Sequence, residues 1–383
     1  EKGKKLLIPK NFTTSGYASF NVGNTKYTTE SPRSKYICKE GDLMLLLTDL
    51  TPSCALLGKP LFLKESDDEV LLNQRISKII PSSKVVVKFL LYFFLSESFH
   101  TRIKNTATGS TVRHTSNKTI LKSIIYLPSK EEQEKIADCL SSLDSLIIAE
   151  TEKLDHLKNH KKGLLQQLFP ANGETRPQYR FPEFANDGDW EITTLGEIAK
   201  FRRGSFPQPY GRPEWYDDEN GMPFIQVYDV DTNLKIKPKT KRRISALAAE
   251  KSVFIAKGTV IITIQGSIGR VAITQYDAYI DRTLLLFEEF YKPIDKLFFA
   301  YVIQLLFEIE KEKAPGGIIK TITKEVLTSF NIYVPDVLEQ QKIAKCLSSL
   351  DDLITAQTQK TKALKNHKKG LMQKLFPNIN DLT

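Results

Sequence analysis

Residues 133–170 read QEKIADCLSSLDSLIIAETEKLDHLKNHKKGLLQQLFP, and residues 340–377 say nearly the same thing again. At a constant spacing of 207, 27 of 38 aligned positions are identical, which marks internal duplication rather than chance. Each copy has a start: Ser129 with Glu132 after Pro128, and Asp336 with Glu339 after Pro335, have the spacing of a capping box. Each also has a stop, Phe169-Pro170 and Phe376-Pro377, because proline cannot continue a helix. Between them Ile136, Leu140, Leu143, Ile147, Leu154, Leu157, Leu164 and Leu168 recur at steps of three, four and seven. Ile343, Leu347, Leu350, Ile354, Leu364, Leu371 and Leu375 form the matching seam, so a coiled coil is expected. At 1.5 Å per residue each helix would span roughly 55 Å. Faces this similar must pack on each other or on two copies of one partner.

The segments that precede the two helices also share an order. In the first, a turn at Lys39–Asp42 delivers a strand over residues 43–47. A helix is expected over 84–104, a loop over 106–118, and a short helix and a strand at 124–128. In the second, Lys257-Gly258 delivers a strand over 259–264, residues 295–313 read as the helix, 314–317 as the loop, and 331–335 as the strand. The second segment opens with Asp189-Trp190 through Ile198, for which the first has no counterpart; one is expected ahead of Glu1. Residues 171–188 are polar and rich in Pro, Gly and Asn, as a surface linker is, and its Phe181 and Phe184 are expected to anchor it.

The chain is long enough for two cores, with 41% hydrophobic and 26% charged residues. Its longest apolar run, residues 85–95, is too short to cross a bilayer, and no secretory signal is visible. The four cysteines have no ligand spacing, and nothing demands an oxidising compartment, so a cytoplasmic location and no membrane are expected. Cys139 and Cys346, equivalent in the two helices, are expected to be buried thiols. A net charge of +10 points to a polyanion or simply to a solvated basic surface.

No catalytic constellation is present: no P-loop, no G-x-G-x-x-G after a strand, no H-E-x-x-H and no G-x-S-x-G. His156 and His160 share a helix face, but His156 becomes Ala363 in the second copy and no third ligand is near, so no metal is expected. What remains is a binding surface. Residues 201–215 combine Arg202, Arg203, Gln208, Tyr210 and Arg212 in a turn-rich loop, and arginine and glutamine can read guanine and adenine edges. Residues 237–243, with Lys239, Lys241, Arg242 and Arg243, suit phosphates or form a solvated charged face. Gln265 and Arg270 flank a polar turn that either contacts a ligand or serves the chain alone. Residues 318–324, with Lys320 and Lys324, are the basic, hydroxyl-bearing continuation of the 314–317 loop. The first segment offers Lys26, Arg33 and Lys35, together with Ser110, Arg113, His114 and Lys118, which either meet DNA or pack the helix onto the sheet.

The two helices, the Arg180-Phe-Pro-Glu-Phe184 linker and the Trp190–Ile198 opening together resemble the specificity (S) subunit of type I restriction–modification systems. The resemblance covers essentially the whole chain. Its most specific motif leads into each helix: Pro335 with Glu339, Gln340, Lys342, Ile343 and Ala344, and Glu132 to Ala137 in the first copy. It implies an α+β chain with two globular α/β target-recognition domains, residues 1–128 and 188–335. Long spacer helices (129–170 and 336–377), joined by the 171–187 linker, follow and are expected to pack as an antiparallel coiled coil. It implies double-stranded DNA, two methyltransferase (M) subunits and restriction (R) subunits as partners. Catalysis and S-adenosylmethionine belong to those partners, so this chain needs no cofactor and is not an enzyme. The near-identity of 157–170 and 364–377 is what two identical partners require, which makes Lys161, Lys162, Lys368 and Lys369 the expected docking residues. The alternative reading is a coiled-coil scaffold whose basic domains bind protein or RNA.

Overall fold

The computed structural model describes residues 3–29, 33–51, 53–65, 67–171, 173–313 and 324–377. The chain divides into two units, Glu1–Glu152 with Thr358–Thr383, and Lys153–Gln357. Both are α+β.

Unit 1 is built around the strand Leu43–Leu46, buried at every position. Its alternating side chains serve two cores, as the period of two requires. Leu43 and Leu45 pack with the helical residues Phe89, Leu91 and Tyr92, while Met44 and Leu46 pack with Leu7, Cys38 and Val70. Leu43–Leu46 is the middle strand of a sheet with Pro60–Phe62 and Ile76–Ile79. On its other side lies a sheet ordered Lys26–Thr28, Lys4–Leu6, Val70–Leu71, Ile37–Cys38, in which one pairing, Lys4–Leu6 with Val70–Leu71, is parallel.

Unit 2 repeats that plan. Val260–Thr263 is its doubly buried strand, flanked by Val271–Ile273 and Leu284–Phe290. Val260 and Ile262 face the helical core, and Ile261 faces the second sheet. That sheet is ordered Arg242–Ile244, Met222–Ile225, Ala278–Ile280, Val253–Ile255, with Met222–Ile225 and Ala278–Ile280 parallel. The strand order and the senses of pairing match those of unit 1. Among the described residues, only unit 2 has a further edge strand on this sheet, Ala199–Arg203 beside Leu284–Phe290.

Three local expectations are corrected. The apolar stretch 84–104 forms two helices, Val87–Leu95 and Glu97–Asn105, instead of one. Ser96 divides them: its hydroxyl donates to the Phe93 carbonyl and accepts from the Phe99 amide, offering the backbone an alternative to continuing the helix. Residues 124–128 form no strand. Their counterpart Asn331–Val334 is a strand because Glu191–Thr194 pairs with it, and no described residue does this for Ile124–Leu127. Cys139 is exposed and Cys346 only half-buried; the buried thiols are Cys38 and Cys54.

The long helices run over Lys130–Leu168 and Val337–Leu375. Ser129 does cap the first through the Glu132 amide, and Asp336 caps the second through Leu338. Glu339 does not complete a box, because its carboxylate takes a bidentate contact from Arg180. The glutamine after each glutamate fastens the helix start to its domain. Gln133 accepts from the Val86 amide and donates to the Lys84 and Pro128 carbonyls. Gln340 accepts from the Asp295 amide and donates to Pro335. Among the described residues no helix is long and apolar enough to cross a membrane.

Candidate nucleic-acid interface

In unit 2 the loop after the Ala199–Arg203 strand starts at Gly204, whose backbone lies against the carbonyls of Ile280 and Asp281. A Cβ there would come within 2.4 Å of both, so only glycine fits. Beyond it Phe206 packs on Tyr210, Tyr216 and Phe224, with ring centroids 4.9, 5.5 and 4.7 Å away. The Trp215 indole donates to the Pro209 carbonyl at 3.1 Å. Phe206 and Trp215 are therefore the small core that holds the loop, joined by Ile244 and Ala248, and are unavailable for stacking on bases.

Cations rim this aromatic cluster. The Arg242 guanidinium sits 3.7 Å over Tyr216, Arg282 4.9 Å over Tyr210, Lys241 4.9 Å over Tyr228 and Lys251 5.1 Å over Trp215. The basic run 237–243 is drawn around Asp229, which is fully buried and accepts from the Gln226 and Lys241 amides. Burial pushes the Asp229 carboxyl above its ordinary range, against those amides and the nearby lysines. Burial likewise raises the Tyr228 hydroxyl to about 12.

The structure gathers some of the expected residues and ties up others. Arg242 and Lys241 join the aromatic rim. Arg202 faces Glu288 at 3.7 Å, Arg212 meets Glu214 at 3.2 Å, and Arg242 also meets Asp218 at 3.1 Å. Arg243 donates to the Gly221 carbonyl and Arg270 to the Val230 carbonyl. Arg203, Gln208, Lys239 and Gln265 are exposed. Tyr210 is half-buried and its hydroxyl donates to Asp281. Lys320 lies outside the described residues, as does the side chain of Lys324. In unit 1, Lys26 and Lys35 adjoin opposite edges of one sheet, and Lys35 lies 4.9 Å over the ring of Tyr36. Arg33 is exposed. Arg113 and His114 belong to a different ribbon, paired with Thr48–Asp49, where Arg113 curls back onto the Gly109 carbonyl. Ser110, His114 and Lys118 are exposed beside it.

Two of the four lysines expected to dock partners are turned inward. In unit 2 Lys161 pairs with Asp351 at 2.6 Å; in unit 1 Lys368 pairs with Asp144 at 2.5 Å. Both lysine side chains are under one-fifth exposed, at 13% and 18%. Tyr301 donates to Asp351 and Tyr92 to Asp144, and each lysine also lies over the ring of that tyrosine. Burial raises both phenols far above their ordinary value, helped next by Asp351 at Tyr301, and by Tyr17 and then Asp144 at Tyr92. Lys162 and Lys369 remain exposed. In unit 1 Asp144 with Lys368 and Glu150 with Lys360 also fix the sense of packing: as one index rises the other falls, so 130–152 and 358–375 run antiparallel.

The model of the type I restriction modification DNA specificity domain matches this sequence twice, over residues 1–159 and 187–366. The chain belongs to that family. This specificity subunit is a non-catalytic DNA-recognition component of a type I restriction–modification system. It is similar to the putative type I restriction enzyme MjaX specificity subunit of Methanocaldococcus jannaschii, with 27% identity over 83% of this chain and 72% of the relative. The MjaVIII specificity subunit of the same organism is 25% identical over 98% of this chain and 89% of its own. The crystal structure of the type I S subunit from M. genitalium shares the fold, with a TM-score of 0.60, 18% identity, and 99% and 93% of the two chains covered.

Sequence reasoning about the specificity subunit missed Arg282, which stands alone in its strand-to-strand turn with no basic neighbour to draw attention. It missed Tyr92 and Tyr301 because both lie in apolar helical runs that read as core.

Proposed function

We propose that this subunit selects a bipartite DNA target, with residues 1–128 and 188–335 each reading one half. The observation that supports this most is the repeated plan of the two units. One strand order occurs twice, while the exposed residues on it differ: Lys26, Arg33 and Lys35 in one, the aromatic loop with its cationic rim in the other. A shared scaffold with unlike surfaces suits two readers of unlike half-sites. The long helices act as an antiparallel coiled-coil spacer that docks two methyltransferase subunits, with restriction subunits joining outside. Exposed Lys162 and Lys369 belong to that docking surface.

The test is to express the chain with its matching methyltransferase subunits and map the methylated sites. Residues 190–335 are then replaced by the equivalent domain of a relative. One half of the target should change and the other stay. A change in both halves, or in neither, would sink the modular reading.

A further inference from the structure

Arg282 follows the strand Ala278–Ile280 and precedes the strand Leu284–Phe290, in a turn that is fixed on both sides. Asp281, 1% exposed, accepts from the Thr283 amide at 2.8 Å, from the Thr283 hydroxyl at 2.6 Å, and from the Tyr210 hydroxyl. Its own amide donates to Ile225. The carboxylate is thus taken up by three donors. Arg282 itself is exposed, and its guanidinium lies 4.9 Å from the centroid of the same Tyr210 ring. One tyrosine therefore both locks the turn and supports the arginine displayed from it.

The other arginines of unit 2 differ. Arg176 and Arg180 face acidic residues of the linker and helix, Arg202, Arg212 and Arg242 face carboxylates of their own domain, and Arg243 and Arg270 donate to backbone carbonyls. Among the described arginines of unit 2 only Arg203 and Arg282 have no acceptor, and the Gly204–Asp281 crossing brings their backbones to one end of the domain. Arg282 alone of the two is stacked. Stacking occupies the face of a guanidinium and leaves its N–H edges free, and a supported side chain loses less freedom on binding.

We infer that Arg282 is a specificity-determining residue of unit 2, and that its free N–H fork reads the O6 and N7 acceptors of one guanine in the major groove. The inference rests on the DNA-reading function proposed above. A guanine edge offers two acceptors at the spacing of that fork, which is the commonest specific arginine contact. A phosphate also accepts from that fork, but such a contact carries no base preference, and the experiment below separates the two.

The experiment uses the complex of this chain with its methyltransferase subunits, on a panel of duplexes with each base pair of the mapped target varied in turn. Arg282→Lys keeps the charge and loses the fork; Arg282→Ala loses both. The site is on the surface, and circular dichroism checks the fold. The expected result is that Arg282→Lys and Arg282→Ala alike lose about ten- to a hundredfold of discrimination for G·C at a single position. That position should lie in the half that changes when residues 190–335 are exchanged. Arg282→Lys should leave the salt dependence of binding as it is. Full discrimination in Arg282→Lys would overturn the inference. So would uniform weakening of Arg282→Ala on every duplex with a salt slope lower by about one, the mark of a phosphate contact. A wild-type complex that methylates no bipartite site would overturn the underlying reading first, before any variant is made.

Discussion

Lys161 and Asp351 make in unit 2 the contact that Lys368 and Asp144 make in unit 1, at 2.6 and 2.5 Å. Lys368 is Lys161 in the second copy of the duplicated helix, and Asp351 is Asp144. Each pair joins the first half of one copy to the second half of the other. Duplication thus conserved a contact by exchanging which helix gives the lysine. The tyrosine that completes each cluster comes from the domain helix alongside, Tyr301 or Tyr92.

Charge reversal at Lys161 should therefore act on stability before it acts on any partner. Lys161→Glu leaves Asp351 facing a like charge at a site where both partners are under 15% exposed, and should cost on the order of 3 kcal/mol. Exchanging the pair, Lys161→Asp with Asp351→Lys, should restore more than half of that. Urea unfolding followed by far-ultraviolet circular dichroism measures both. An unchanged midpoint in the single variant would show that the pair adds nothing.

Lys162 and Lys369 test docking without that complication, because both are exposed. Lys162→Glu with Lys369→Glu should weaken co-purification with methyltransferase subunits while leaving the unfolding midpoint within about 0.5 kcal/mol of wild type. Undiminished recovery of both partners would place the docking surface elsewhere on the helices.

Arg180 ties the linker to the second long helix. Its guanidinium meets both oxygens of Glu339, whose side chain is only 1% exposed. Arg180→Ala strands that carboxylate and should destabilise unit 2 by about 3–5 kcal/mol. Limited proteolysis should cut within residues 173–188 sooner than in the wild type. Equal cleavage rates would mean that Phe181 and Phe184 hold the linker unaided.

His100 gives unit 1 a dependence on pH. Burial lowers the pKa of its imidazole, with Lys59 acting in the same direction, and the ring contacts the Cys54 carbonyl at 2.9 Å. A depressed folded value means that the unfolded chain takes up the proton first as pH falls. Stability is then full above the ordinary histidine value of about 6.5 and is lost as pH falls through the folded value. His100→Gln should flatten the fall in melting temperature between pH 7 and pH 5. Parallel profiles for the two proteins would rule His100 out as a source of that fall.

Local pattern made much of this architecture legible in advance. Leu43–Leu46 and Val260–Thr263 were visible as strands because both faces are apolar, and Lys296–Lys313 as a helix by its length and spacing. What local pattern misses are contacts made at long range. Nothing near Glu339 tells that Arg180, 159 residues earlier, will take its carboxylate from the capping box. Nothing near Ile124 tells that a strand there needs a partner like Glu191–Thr194. The exposed arginines looked alike in the sequence and separate only once Glu288, Glu214 and Asp218 are placed beside three of them.

Unit 1 draws its closing pieces from the far end of the chain. Phe376 packs on Phe89 at 5.3 Å and on Phe93 at 6.4 Å, in the same core as Leu140. During synthesis, when domains ordinarily fold in the order they emerge, residues 1–152 must therefore wait for residues 358–376, which leave the ribosome after all of unit 2. Unit 2, one uninterrupted stretch from Lys153 to Gln357, has all its residues in hand before then. The unit whose residues start to emerge earlier is completed later, so a chain broken off between Gln357 and Phe376 holds every residue of unit 2 but leaves the core around Phe89 and Phe93 open.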